Sequence, residues 1–331
     1  MGRMIATAVV VATAVVPALT MPNAAHAQAA WPAKPITMIV PYAAGGPVDT
    51  IGRILGAKIG EILSQQIIIE NIGGAGGMTG SARAAKAPAD GYTLLLSGSA
   101  VLSINQTLYR KPLYNAVNDF EQVALHSDSA RVLITRRDFP AANLKQFVAY
   151  AKANQHTLKY GSAGAGSGVH VCSVLLDVAM GTKITHVPYR GAGPAMQDLI
   201  AGRIDYIAEQ ISTALPQIQG GTVKAIATLG LDRAPGQEDL ATAEEQGLPG
   251  LDCGSWGSFS FPKNTPQPII QRLAEATNAA VESEMVRDRF KQIGVVIPAK
   301  DRRTPAYLTR FVVTETERWA KPIKDSGAII D

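Results

Sequence analysis

Twice along this chain, an apolar run ends in a glycine-rich turn that opens into a helical pattern, and each time a second such turn follows. "ITMIV" at 36–40 leads through "PYAAGGPVDT" to apolar positions Val48, Ile51, Leu55, Ile59 and Ile62, a spacing close to the helical period. "IIIE" then leads through "NIGGAGGMTG" into a small-residue helix, and after "PADG" the run "YTLLLS" closes the round. "FEQVAL" and "ARVLITRR" come next, and Asn143 caps a helix with Leu144, Phe147, Val148 and Ala151 on one face. The second round reads "LKYGSAGAGSG", a helix with Val171, Val174, Leu175 and Val178, then "ITHVPY", "RGAG", a short helix ending at Gly202, and "IDYIAE", with "VKAIATLG" behind it. Strands alternating with helices predict α/β units on mainly parallel sheets. The two rounds share an order of elements and little residue identity, which predicts two lobes of similar build.

From "CGSWGSFSFPKNTP" the pattern changes to one strand and long helices, starting at Thr265-Pro266 and at Thr304-Pro305, the latter running towards Trp319. This tail is expected to complete the first lobe, so the chain crosses between lobes near 127 and near 254. The predicted domains are residues 28–126 with 255–331, and residues 127–254. Residues 1–27 stand outside the fold: Arg3, an apolar segment from Ile5 to Leu19 broken by Pro17, and Ala25-His26-Ala27 read as a signal peptide cleaved before Gln28. The segment is shorter than the ~18–20 residues of a spanning helix, which disfavours the alternative, an uncleaved anchor. An exported, periplasmic protein is expected.

With 331 residues, 47% hydrophobic and 18% charged, the chain can bury two cores. Its formal charge of +4 becomes 4 − 1 = +3 without Arg3, and acids and bases are interspersed, so no nucleic-acid footprint exists. The two cysteines, Cys172 and Cys253, are far apart; an oxidising compartment permits a disulfide. Cys172 lies in the apolar helical run "VHVCSVLLDV", which favours a buried free thiol.

Four glycine-rich turns, "YAAGGP", "NIGGAGG", "GSAGAGSG" and "RGAGP", follow strands and precede helices. There the unpaired amides and the dipole of a helix start favour an anion. In the first turn Pro47 suits the N1 position, which makes Gly46 the cap and Asp49 the N3 residue. One such turn alone is ordinary strand-to-helix geometry; two opening two lobes predict a carboxylate or oxyanion held between them. More specific chemistry finds no support: the dinucleotide and phosphate-loop glycine spacings are absent, and no serine stands in G-x-S-x-G. His126, His156, His170 and His186 form no zinc pattern, and neither a metal nor a cofactor is expected. His170 reads more simply as a partly buried helix residue than as a ligand contact. An exported hydrolase using a cleft serine lacks a base–nucleophile spacing, so no enzyme is expected.

"KPITMIVPYAAGGPVDTIGR", "NIGGAGGMTGSARAAKAPADGYTLLLSG", "LKYGSAGAGSGVH", "THVPYRGAGPAMQDLIAGRIDY" and "GLPGLDCGSWG" occur in one order across the chain after the leader. Together they resemble the solute-binding proteins of the tripartite tricarboxylate transporter family, also called Bug proteins. The resemblance implies a type II periplasmic binding protein: two α/β lobes joined by two crossovers, closing on a small carboxylated solute. It also implies a monomer that delivers this solute to membrane permease subunits, although a signalling receptor of the same fold stays open. Ligands of the implied kind are di- or tricarboxylates, aromatic acids and acidic amino acids.

Family members grip a carboxylate with the first turns of both lobes, through backbone groups and bridging waters. Carried over by position, the site residues are Tyr42, Gly45, Gly46 and Asp49 in lobe one and Ser162, Ala163, Gly166 and Ser167 in lobe two. Ser97, Ser99, Glu209 and Gln210 at the ends of the third strands complete the cleft. Where the family carries an Asp-Asn-like pair, this chain has Glu209-Gln210, one methylene longer on each. Asp49 is expected to hold its own helix start and to orient a water, since a carboxylate repels an anionic ligand. Arg190, after "ITHVPY", is a candidate partner for a second carboxylate or a solvated surface residue.

Overall fold

A computed structural model describes residues 31–331 together with Met1, Gly2, Met4 and Ala8. The leader read at 1–27 lies outside the described residues except for those four. Residues 31–331 open with β1 (Ile36–Val40), α1 (Pro47–Leu63), β2 (Ile67–Asn71), α2 (Met78–Ala85) and β3 (Thr93–Gly98). A π-helical turn at Ala100–Ile104 runs into α3 (Asn105–Leu108), and β4 (Phe120–Ser129) passes almost directly into β5 (Arg131–Arg136). Then follow α4 (Leu144–Asn154), β6 (Lys159–Ser162), α5 (Gly168–Met180), β7 (Thr185–Pro188), α6 (Ala192–Ile200), β8 (Tyr206–Gln210), α7 (Ile211–Gln219) and β9 (Val223–Thr228). The return carries β10 (Ser255–Pro262), α8 (Gln267–Glu282), α9 (Glu284–Gln292), β11 (Val295–Val296) and α10 (Pro305–Ser326).

Two sheets result, ordered β11-β4-β10-β3-β1-β2 and β7-β6-β8-β5-β9. The chain leaves the first sheet after Ser129 and re-enters it at Ser255. Each sheet carries the βαβαβ order expected from the glycine turns. The sheets are mixed, not mainly parallel: among the described pairings four are parallel and five antiparallel. Strand direction here is set by the crossings. β1, β3 and β4 run towards the other lobe, whereas β10 enters from it and therefore runs back against β3 and β4. β5 enters the second lobe in the same way and lies antiparallel to β8 and β9.

Helices cover both faces of each sheet, which is why the strands read as continuous apolar runs instead of alternating ones. α1 buries Ile51, Leu55 and Ile59 against β1 and β3, with α8 and α9 on the same side. Each such side chain contributes about 1.5–3 kcal/mol of burial, and Leu55→Ala would cost about 2–5 kcal/mol with its cavity term. Asn143 caps α4 as expected, accepting from the Gln146 amide, and Leu144, Phe147 and Ala151 are buried. The helix expected at Thr265-Pro266 starts at Gln267 with Pro266 as its cap.

The cysteines correct the free-thiol expectation: Cys172 and Cys253 form a disulfide, with Cα atoms 5.7 Å apart. Burial of Cys172 on α5 is as expected, but the return segment crosses that helix in the same core and brings Cys253 to it.

Candidate functional site

The helix starts of α1 and α5 face one cavity between the lobes, lined by residues of both. At α1 the cap is Gly46 in an extended conformation, Pro47 follows, and no side chain caps the helix from outside. Instead Asp49 turns back. Its Oδ2 accepts from the Gly45 amide and from Arg53 Nε, both at 3.0 Å. Its Oδ1 accepts from Arg53 Nη2 at 3.0 Å and from Asn71 Nδ2 at 2.9 Å. Burial works to raise the Asp49 pKa, but the donors from Arg53, Gly45 and Asn71 outweigh it and hold the carboxyl below its usual range. The expectation that Asp49 holds its helix start matches this geometry. Its carboxylate is spent on these four bonds, and the amide of Gly45 points to Asp49, away from the cavity.

At α5 the cap is Ser167, whose Oγ accepts from the His170 amide at 3.2 Å, and no acid stands in the first turn. What stands there is Arg131. It is the first residue of β5, placed where the chain enters the second lobe. A Cβ on Gly168, the first residue of α5, would lie 2.3 Å from Arg131 Nη2, so the bare glycine leaves room for the guanidinium against the helix start. Arg131 is 4% exposed and lines the cavity, and its Nη1 has no protein partner. Burial lowers its proton affinity and the charge of nearby Glu209 opposes that, yet a guanidinium stays cationic in proteins. Ser129, two residues earlier and also buried on the cavity wall, has an unpartnered Oγ. A buried cation with a free N–H beside a helix start is a receptor for an anion.

The structure brings Tyr42, Gly46, Ser97, Ser99, Ala163, Ser167 and Gln210 to this cavity. Gly45, Asp49, Ser162, Gly166 and Glu209 do not line it. The Tyr42 hydroxyl donates to Gly76 O at 3.0 Å, leaving its ring towards the cavity. Ser97 Oγ bonds with Ser258 and Ser260, and Ser99 Oγ with Ser255 Oγ at 3.2 Å. Ser162 Oγ lies 2.6 Å from His186 Nε2 and accepts from the Gly164 amide. Strand alternation divides the Glu209-Gln210 pair. Gln210 lines the cavity and donates to Ser255 Oγ at 3.1 Å, while Glu209 is fully buried with Oε2 unpartnered and its carboxyl pushed up to about 7.

His170 packs on His186 with ring centroids 4.3 Å apart, and burial drops each to about 4, so both are neutral. This is the structural role expected for His170. Arg190 is exposed and does not line the cavity; its carbonyl, not its guanidinium, is engaged. Arg131 is the residue that sequence reading missed. Its signal was a lone charge at the head of the buried run "ARVLITRR", four residues past the predicted crossing.

The lobes touch through backbone around the cavity. The Ala43 amide donates to Arg190 O at 3.0 Å, and the Tyr109 hydroxyl lies 2.9 Å from both Ala75 O and Ala165 O. Gly76 sits at φ 59°, and a Cβ there would lie 2.4 Å from Ala165 O. The glycines of "NIGGAGG" thus serve the closed contact between lobes.

Comparison with known proteins agrees with this architecture. A protein from the TAR-I ttuE–ttuC′ intergenic region of Agrobacterium vitis is 40% identical over 310 residues, covering 94% of this chain and 89% of that protein. The structure of the periplasmic binding protein BugD superposes with a TM-score of 0.88 at 34% identity, covering 90% of this chain and 99% of BugD. MatC from Rhodopseudomonas palustris, with bound malate, gives a TM-score of 0.86 at 35% identity, covering 88% of this chain and all of MatC. The model of the tripartite tricarboxylate transporter family receptor matches residues 51–328. With two α/β lobes closed on one cavity and a family match over most of its length, the chain belongs to the tripartite tricarboxylate transporter family of receptors, the Bug proteins.

Proposed function

We propose that this protein is a periplasmic receptor that captures a small carboxylate between its lobes and delivers it to the permease subunits of a tripartite tricarboxylate transporter. It works as a monomer and performs no chemistry on the solute. The observation that carries this reading is Arg131: a buried guanidinium with an unpartnered Nη1, set against the first turn of α5 on the wall of the cavity. Such a charge is costly to bury and is stabilised when an anion completes its bonds. MatC, a relative of the same fold, holds malate, which supports a carboxylated solute. A micromolar dissociation constant needs about −8 kcal/mol. Two or three charge-assisted hydrogen bonds at about 1.5–3 kcal/mol each, with apolar burial, supply that against the costs of association and closure.

A thermal-shift panel of mono-, di- and tricarboxylates tests the reading. A true ligand at a hundred times its dissociation constant stabilises the protein by about 2.7 kcal/mol. If no carboxylate shifts the transition, and none leaves with the protein on native mass spectrometry, the reading fails. Delivery to a permease predicts that deleting the receptor abolishes uptake of that same solute.

A further inference from the structure

Resting on that reading, we infer that the site selects monocarboxylic acids, seating one carboxylate on Arg131 and the start of α5 and an uncharged body against the first lobe. Among the described residues lining the cavity, Arg131 is the only charged side chain. His126 also lines it, but burial drops that imidazole to about 3 and leaves it neutral. The first lobe supplies no second cation. At α1 the Gly45 amide is committed to Asp49, Pro47 has no N–H, and Asp49 already places a carboxylate at that helix start. Arg53 answers Asp49 from outside the cavity.

The remaining first-lobe wall is apolar or neutral. Val48, Ile51, Leu96 and Trp256 make its apolar surface, and the hydroxyls of Ser97 and Ser99 bond among neighbouring serines. A second carboxylate would lose its water with no second cation in the cavity wall to offset that loss. A neutral substituent meets no such penalty, because the unpartnered Ser129 Oγ can donate to a carbonyl or accept from a hydroxyl. Glu209 adds no cation either; it is a buried acid whose only charged neighbour of note is Arg131 itself.

Isothermal titration of the purified protein near pH 6 tests this with pairs of acids in which one member carries an additional carboxylate: propionate and succinate, lactate and malate, benzoate and terephthalate. In each pair that binds, the monocarboxylate is expected to bind at least about 30-fold more tightly. Arg131→Gln is expected to lose at least about 100-fold of that binding; the comparison on the unaltered protein stands even if this variant fails to fold. A dicarboxylate binding as tightly as its partner, or more tightly, overturns the inference and leaves the carboxylate reading intact. Binding by none of the six acids overturns the inference, while the carboxylate reading stands or falls with the wider thermal-shift panel.

Discussion

The starts of α1 and α5 share a strand–glycine turn–helix plan, and they differ in what charge stands beside them. α1 keeps a carboxylate of its own, Asp49, locked by Arg53, Asn71 and the Gly45 amide. α5 keeps none, and has the Arg131 guanidinium pressed against Gly168. The backbone that bares amides is therefore common to both lobes, while side chains decide which lobe takes the anion. The first lobe offers a wall, the second offers a charge.

Arg131→Met should break this contrast most severely. Carboxylate affinity is expected to fall about a thousandfold, or about 4 kcal/mol, because the cation is removed from a desolvated contact. The ligand-free protein should meanwhile hold or gain stability, since an unpaired buried charge is gone. Titration calorimetry paired with thermal unfolding reads both; a loss below tenfold would place the anion elsewhere.

The second lobe's helix start is also tied covalently, through Cys172 on α5. Replacing Cys172 and Cys253 by alanine should cost about 3 kcal/mol of stability. Affinity should change less than about tenfold, because neither cysteine lines the cavity. Denaturant unfolding of the double variant checks the first expectation and titration the second.

A pH series sharpens the role of the buried acid. Burial pushes Glu209 up to about 7, against the Gln210 amide, the Arg131 charge and Thr213, which favour its ionised form. Below that value Glu209 is neutral and Arg131 is undivided. As pH rises through it, Glu209 ionises and competes for Arg131, so carboxylate affinity weakens towards about tenfold per pH unit, or about 1.4 kcal/mol. The raised pKa also makes the ligand-free fold lose stability between an unfolded carboxyl value near ~4.3 and about 7, with the folded state binding the extra proton. Glu209→Gln should flatten both profiles; a flat profile in the unaltered protein would detach Glu209 from Arg131.

Asp49→Asn is the smallest of these changes. It should cost about 1 kcal/mol of stability through the α1 start and leave affinity within about threefold. A tenfold or larger loss of affinity would move the anion to the first lobe.

Much of this was legible in local sequence. The helix start at Gly46-Pro47, the Asn143 cap and the Thr304-Pro305 start are set by residues a few positions apart, and each formed where the sequence put it. The role of Asp49 at its helix start was legible for the same reason. Features set by long-range geometry were not. Strand direction follows from the crossings, so the antiparallel entries of β5 and β10 have no local signature. The helical period buries Cys172 whether or not Cys253 crosses above it. Arg131 carries no motif, and its place on the cavity wall comes from being the first residue of β5, just past the crossing. Glu209 and Gln210 were read together, yet alternation along β8 sends only Gln210 to the cavity.

The central claim is that the solute's carboxylate sits on the second lobe. A crystal structure of the protein with its tightest-binding acid tests it most directly. The account predicts carboxylate oxygens within hydrogen-bond distance of the Arg131 guanidinium and of the first-turn amides of α5. A carboxylate seated instead on the first turn of α1, with Arg131 unengaged, would contradict it.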